Sequence, residues 1–285
     1  MQRCVRSVII MKKHRNRRRW IPELKKRTKS RLALAASAVF LLSAAAMVAF
    51  LLYCRQAAHT PPSPDAAPES TVEDGDGFPA VDWDYWQDIN PDVIGWVTIP
   101  GTTVDSPILQ AHGDAPGHYL KHDVYGNYNP AGAIYLDADC EELGLSSRNA
   151  VILGHHFWND KKVAPMGTVA DYKDEDFARE HARVLIQTPT AKMTYEARFA
   201  QIVNGRERNK RIDFEGESDF RAWYGESRAN AAMVLDAETE PEQVISLVTC
   251  SYNIWVDNER TVLVTSMQET AKNQAENTQI APDAS

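Results

Sequence analysis

Short runs of apolar and β-branched residues, separated by turn residues, dominate the chain from about residue 82 onward. Runs of this kind predict β-strands. We predict strands at residues 93–99, 133–136, 150–153, 184–187, 194–203, 244–249 and 261–265. Many short strands divided by turn residues favour a mainly β fold, either a barrel or a sandwich.

Two segments of this region have a helical pattern instead. Residues 82–90 carry aromatic side chains at positions 83, 85 and 86, and the proline at position 91 ends the segment. Residues 218–228 repeat Phe220, Trp223 and Tyr224 on one helical face, and Ser218 or Asp219 is placed to cap the start. We therefore expect short helices around a β-rich core.

The residues from position 32 to position 54 carry no formal charge and are mostly apolar. They follow a basic segment, residues 1–31, which holds 13 Lys and Arg and one acid. A helix of this length, at about 1.5 Å per residue, crosses a hydrocarbon core of about 30 Å. Because basic residues stay on the cytoplasmic side, we predict a single-pass membrane protein with a cytoplasmic N-terminus and an extracellular domain. A cleaved signal peptide is the alternative, but its apolar segment is usually shorter.

Composition divides the remainder of the chain into three parts. Residues 55–79 are rich in Pro, Ala and acids and are predicted to form a flexible stalk. Residues 80–268 form the predicted folded domain, and residues 269–285 a polar, disordered tail. The basic residues at 1–31 lie beside the apolar segment, which favours contact with anionic lipid. No nucleic-acid partner is predicted.

Three residues that can carry out chemistry lie at predicted strand ends. Cys250 follows the run 244–249, Arg260 precedes the run 261–265, and His155 follows the run 150–153. A cysteine becomes a useful nucleophile when a cationic neighbour favours its thiolate. Arginine keeps its charge and can hold an oxyanion, and histidine is a common general acid or base. Together the three predict a site with a nucleophilic cysteine.

The other cysteines and histidines give weaker signals. A Cys140–Cys250 disulfide is possible, but it would block the nucleophile. The sequence has no Cys-x-x-Cys pair, and His155, His156 and Asp160 lack a recognised metal-ligand spacing. Adjacent strand residues point to opposite faces, so only one of the paired histidines is expected to face the thiol. We predict no metal and no cofactor.

Several motifs, in a fixed order along the chain, are shared with a known family. They are residues 89–96 (INPDVIGW), 99–102 (IPGT), 119–123 (YLKHD), 131–137 (AGAIYLD), 154–156 (GHH) and the segment 248–260. With these motifs, residues 82–267 resemble the sortases, membrane-anchored cysteine transpeptidases of Gram-positive bacteria, and specifically class B. The helix at 218–228 also fits class B. Two positions depart from the family pattern: Ser246 stands where Thr is usual, and Leu153 where an aromatic residue often precedes Gly-His.

The resemblance implies a closed sortase-type β-barrel with short peripheral helices, and it implies a reaction. Cys250 would cleave a C-terminal sorting motif of secreted proteins after a threonine and form a thioacyl enzyme. His155, which the family's Gly-His pattern selects, would protonate the leaving amine, and Arg260 would hold the oxyanion. A peptidoglycan amine would then accept the acyl group. Substrate contacts are expected from Val248, Thr249, Leu153 and Trp255.

Other functions remain open at this point. The same three groups would serve a membrane-tethered cysteine hydrolase that uses water as the acceptor. A sortase that joins pilin subunits would share the motifs. A non-catalytic surface module that binds a wall polymer is disfavoured by the joint placement of His155, Cys250 and Arg260.

Overall fold

Eight strands of one sheet close on themselves into a barrel. The computed structural model describes residues 39–50, 52, 73–74, 77–157, 163–205, 210–236, 240–252 and 258–270. The strands are β1 (Glu73–Asp74), β2 (Phe78–Pro79), β3 (Val93–Thr98), β4 (Asp105–Gln110), β5 (Ile134–Leu136), β6 (Asn149–Leu153), β7 (Arg183–Thr188), β8 (Ala191–Asn204), β9 (Met233–Val234), β10 (Val244–Ser251) and β11 (Glu259–Thr270). The sheet order is β11-β10-β6-β5-β4-β3-β7-β8-β9, and a further β11–β8 pairing closes the barrel. The predicted fold class is confirmed.

The barrel strands form where the sequence places apolar side chains on the inner face. Ile152, Leu247 and Leu263 come from three adjacent strands and are fully buried. Burying each such side chain contributes about 1.5–3 kcal/mol relative to leaving it in water. The strands β10 and β11 extend past the predicted runs, so Cys250 and Arg260 lie inside strands and not just beyond them.

Among the described residues, three helices lie between strands along the chain, and one helix precedes β1. They are α1 (described at residues 39–50 and 52), α2 (Trp83–Ile89), α3 (Glu175–Glu180) and α4 (Glu217–Ala229), and 3-10 turns occur at His118–Leu120, Ala138–Cys140, Gly144–Ser146 and Gly167–Lys173. Asp82 caps α2 by accepting the Tyr85 N–H at 3.0 Å. Trp86 of α2 packs against Trp96 of β3, with ring centroids 5.5 Å apart. This helix thereby covers a second apolar cluster, which also contains Tyr119 and Tyr135.

Helix α4 begins one residue earlier than predicted, and its cap differs from both candidates. The N-cap is Gly216, whose φ of +116° is readily available only to glycine, and no side chain caps the helix there. Asp219 instead accepts the backbone N–H of Glu215 at 2.9 Å. The buried face is as predicted, since Phe220 and Tyr224 pack against Phe199 of β8.

The prediction of a membrane span at residues 32–54, and with it the single-pass localisation, is wrong. Among the described residues, no helix is both long and apolar enough to cross a membrane. Residues 32–38, 51 and 53–54 of the predicted span lie outside the described residues.

The chain divides into two compact units, Met1–Tyr53 and Cys54–Ser285. Within the second unit, ordered pairing begins inside the segment predicted as the stalk, where Phe78 is buried and the Pro79 carbonyl accepts from the Gln187 side chain at 2.8 Å. At the other end, residues 269–270 belong to β11. The rest of the predicted tail, residues 271–285, lies outside the described residues.

Candidate active site

Cys250 and Arg260 lie directly opposite each other on the antiparallel strands β10 and β11. The Val248 carbonyl accepts the Gly154 N–H at 3.3 Å, so even-numbered residues of β10 direct their backbone groups away from β11 and toward the β6 side. Cys250 and Arg260 are therefore a non-hydrogen-bonded pair, in which Cα atoms lie about 4.5 Å apart and side chains approach most closely. The thiol and the guanidinium leave the sheet on the same face.

His155 arrives at this place from β6, which runs parallel to β10. Two hydrogen bonds fix the position of Gly154, the residue before His155. The Gly154 N–H donates to Val248, and the Thr249 hydroxyl donates to the Gly154 carbonyl at 2.9 Å. Because Gly154 is tied to residues 248 and 249, His155 follows it beside Cys250. The strand ladder therefore brings the predicted histidine and cysteine together across 95 residues of sequence.

The His155 ring is held at one nitrogen. Its Nε2 lies 2.8 Å from the Leu120 carbonyl oxygen, which can only accept, so Nε2 carries the hydrogen and the lone pair of the neutral ring is on Nδ1. Burial lowers the pKa of His155, and the Arg260 charge lowers it further, while the Leu120 contact opposes both. The ring is thus neutral at pH 7 and able to accept a proton at Nδ1.

Gly154 is required by close packing beneath the histidine. A Cβ at this position would lie 2.6 Å from the Met166 Sδ and 2.7 Å from its Cγ. The Met166 N–H in turn donates to the His155 carbonyl at 3.2 Å. The glycine of the Gly-His motif therefore lets the Gly167–Lys173 turn region support the backbone that carries His155.

His156 points away from His155 into the protein. It is only 5% exposed, and its Nδ1 lies 2.7 Å from the Cys250 carbonyl oxygen. The Tyr252 hydroxyl donates to the His156 carbonyl at 3.2 Å, and the two rings are 5.4 Å apart. The sequence predicted that only one of the paired histidines would face the thiol, and His156 is the one turned inward. The His-His doublet two residues past a strand was the available signal that one ring would be turned inward.

Arg260 is half-buried and held by its own strand. Its Nη1 donates to the Glu259 carbonyl at 2.8 Å, while its backbone lies opposite Val203 of β8. A guanidinium has further N–H donors, which can be offered to an anion. The anchored side chain therefore supplies a positively charged group in a fixed place opposite the thiol.

The predicted substrate contacts have different surroundings. Leu153 and Val248 are half-buried neighbours on β6 and β10. Thr249 is 1% exposed and its hydroxyl holds the Gly154 carbonyl, so it supports the site from inside the barrel. Trp255 lies outside the described residues.

Tyr135 was part of a family motif but was not predicted as a site residue. It lies opposite Leu153 on β5 and is buried. Burial raises the pKa of Tyr135 above its usual range, with contributions from Asp137 and Cys250. Tyr135 thus lies on β5, two strands from the strand of Cys250, a placement that only the pairing of β5 with β6 and of β6 with β10 reveals.

Cys140 has none of these neighbours. It is 1% exposed, its Sγ lies 3.9 Å from the Asn149 carbonyl oxygen, and burial raises its pKa. Cys140 and Cys250 are both free, so the disulfide that the sequence left open is not present.

The chain is similar in sequence to two curated proteins, although no protein-family model matches it. It is 24% identical to sortase B of Staphylococcus aureus over 163 residues, which is 57% of this chain and 64% of that protein. It is 34% identical to sortase B of Listeria monocytogenes over 95 residues, which is 33% of this chain and 36% of that protein. The matches therefore span less than two thirds of each relative.

Solved structures show the same fold. The Staphylococcus aureus sortase B–substrate complex superposes with a TM-score of 0.57 at 22% identity, covering 65% of this chain and 84% of that chain. The X-ray structure of Clostridium perfringens sortase B gives a TM-score of 0.58 at 22% identity and is covered over 99% of its length.

Proposed function

Because the chain is related to class B sortases in sequence and shares their fold, we propose that it is a cysteine transpeptidase acting on secreted proteins with a C-terminal sorting signal. The arrangement of Cys250, His155 and Arg260 on one corner of the barrel carries this proposal. The Staphylococcus aureus sortase B has been solved as a complex with a substrate, which supports a sorting-signal substrate in general. The proposed acceptor is an amine of peptidoglycan or its precursor.

The first half-reaction breaks the peptide bond. The neutral His155 accepts the Cys250 proton at Nδ1, and the thiolate attacks the threonine carbonyl carbon to form a C–S bond. The carbonyl oxygen becomes an oxyanion, which Arg260 stabilises. The C–N bond then breaks as His155 returns its proton to the leaving amine, and a thioester remains on Cys250.

The second half-reaction reverses these roles with a different amine. The acceptor amine attacks the thioester carbon, and Arg260 again stabilises the oxyanion. His155 takes a proton from the attacking nitrogen, the C–S bond breaks to leave a new amide and the Cys250 thiolate, and His155 returns the proton to that thiolate. The same three groups serve both halves because each half passes through a tetrahedral oxyanion.

Product analysis on the full chain tests this function. A library of threonine-containing peptides is incubated with and without a short glycine peptide as the amine, and the products are identified by mass spectrometry. We expect cleavage after threonine and, when the amine is present, a new amide product. Hydrolysis alone at saturating amine would instead identify a cysteine hydrolase.

A matched pair of variants assigns the nucleophile. Cys250→Ala should abolish both cleavage and the thioacyl intermediate, whereas Cys140→Ala should keep near-normal turnover because Cys140 is buried beside Asn149 at the start of β6. Melting curves show whether each variant is folded. Loss of activity in Cys140→Ala alone would contradict the assignment.

A further inference from the structure

His112 lies between two carboxylates that come from different parts of the chain. Its Nε2 is 3.0 Å from Asp92 Oδ1, and its Nδ1 is 2.7 Å from Glu141 Oε1. Glu141 also accepts the Gly113 N–H at 2.9 Å. A histidine can donate from both nitrogens only when it is protonated. The arrangement therefore suits a histidine cation that joins the residue before β3 to the turn after β5.

The same Asp92 carboxylate continues to a buried tyrosine. Its Oδ2 accepts the Tyr119 hydroxyl at 2.5 Å, and the Asn90 amide donates to that hydroxyl at 3.2 Å. Tyr119 is only 3% exposed. We call Glu141, His112, Asp92 and Tyr119 the His112 bracket. Its four side chains form one continuous series of hydrogen bonds.

The bracket ends on the turn that holds the His155 ring. Tyr119 and Leu120 are consecutive in the 3-10 turn His118–Leu120, and the Leu120 carbonyl accepts from His155 Nε2 at 2.8 Å. The Tyr119 carbonyl accepts the Ala133 N–H at 2.9 Å. A Cβ on Gly132 would lie 2.3 Å from that carbonyl oxygen, so the turn fits closely against its neighbour.

We propose that His112 is a positioning residue for the reaction. Through Asp92 and Tyr119 it fixes the turn whose Leu120 carbonyl holds Nε2 of His155. This inference rests on the role of His155 in the proposed function. The Leu120 contact favours the protonated ring, so a looser turn makes the imidazolium of His155 harder to form.

The His112 bracket is complete only while His112 is protonated. The Asp92 and Glu141 carboxylates raise the pKa of His112 to about 9, and they are the charged groups of the described chain that act on it. His112 is therefore a cation at neutral pH and links both carboxylates. As the pH rises through about 9, it loses a proton and can no longer donate to both.

A titration of the His155 ring by NMR on the full chain, without substrate, tests the inference. His112→Gln removes the cation, and Tyr119→Phe removes only the hydroxyl that contacts Asp92. We expect each variant to lower the His155 pKa by roughly half to one unit, the effect of weakening one hydrogen bond. Because the contacts are in series, the double variant should lower it no more than the larger single change.

His181→Gln is the matched control, since His181 also bonds a backbone carbonyl, that of Pro100 at 3.0 Å, away from the bracket. It should leave the His155 pKa unchanged. In the wild type, the Nε2–H signal of His155 should lose protection from exchange as the pH rises through about 9. An unchanged His155 pKa in both His112→Gln and Tyr119→Phe would overturn the inference. A chain that shows these shifts but no transpeptidation contradicts the proposed function alone.

Discussion

The two ends of strand β6 show how surroundings decide what similar residues do. At the start of the strand, Asn149 accepts the Ser246 hydroxyl at 2.7 Å and donates to the Arg211 carbonyl at 2.8 Å, with Cys140 buried beside it. At the far end, His155 lies beside a half-buried Cys250. Both ends combine a cysteine with polar partners. Only the far end combines partial exposure with a fixed positive charge, and this combination makes a cysteine reactive.

The largest loss of turnover is expected from substitution of His155, at the far end of β6. His155→Ala should lower turnover by roughly 10²–10⁴-fold, the usual contribution of a positioned acid or base. His156→Ala is the matched control, because that ring faces inward onto the Cys250 carbonyl. It should lower turnover much less, while the free energy of unfolding falls by about 1–3 kcal/mol through the lost buried contact. Steady-state rates and melting curves measure both. The reverse order of activity would show that the assigned orientation of the two rings is wrong.

The next largest loss of turnover is expected at Arg260, which lies opposite Cys250. Arg260→Lys keeps the charge but replaces a planar group of donors by a flexible ammonium. If Arg260 positions the oxyanion, turnover should fall roughly 10²–10³-fold. Arg179→Lys, in the exposed Arg179–Glu175 pair, is the control and should leave turnover unchanged. Near-normal rates in Arg260→Lys would mean that only general electrostatics is needed.

The protonation of His155 makes the far end sensitive to acid. Its pKa is lowered below 6.5 by burial and by Arg260, so the ring stays neutral until the pH falls through that lowered value. Below it the ring is already protonated and cannot accept the thiol proton, and kcat/KM should fall by about tenfold per pH unit. An acid limb well above pH 6.5 would contradict this description.

Substitutions at the start of β6, around Asn149, should lower stability and leave catalysis intact. Asn149→Ala leaves the buried Ser246 hydroxyl and the Arg211 carbonyl without their partner, which should cost about 1–3 kcal/mol of unfolding free energy. Asn230→Ala, at an exposed helix end, should cost less. Denaturant unfolding measures both, and turnover of the folded protein should remain normal. A large loss of turnover in Asn149→Ala would mean that the two ends of β6 are coupled.

The same contrast explains what the sequence could predict. Apolar runs located β6, β10 and β11, and the strand ends located Cys250 and His155. The residue pattern could not predict β4, because Asp105 and Pro107 are disfavoured in strands. The predicted span at 32–54 rested on an uncharged, apolar segment beside basic residues, and no helix among the described residues is both long and apolar enough to cross a membrane.

The contacts that hold the site residues could not be predicted from the sequence pattern, for a different reason. The Leu120 and Cys250 carbonyls, which hold His155 and His156, are backbone atoms that every residue type possesses. Their roles depend on where the chain returns after 35 and 94 residues. Tyr135 likewise comes to lie opposite Leu153 only through the pairing of β5 with β6. Residue types identify candidate chemistry, whereas the register of the barrel determines which candidates meet.

The comparison of the two cysteines can be measured directly. The folded full chain is treated with a mild thiol-reactive electrophile, and the labelling rates of Cys250 and Cys140 are followed separately by peptide mapping. We expect Cys250 to react roughly tenfold or more faster than Cys140. Arg260→Lys or His155→Ala should reduce this difference in rate. Equal labelling rates for the two cysteines in the wild type would contradict this expectation.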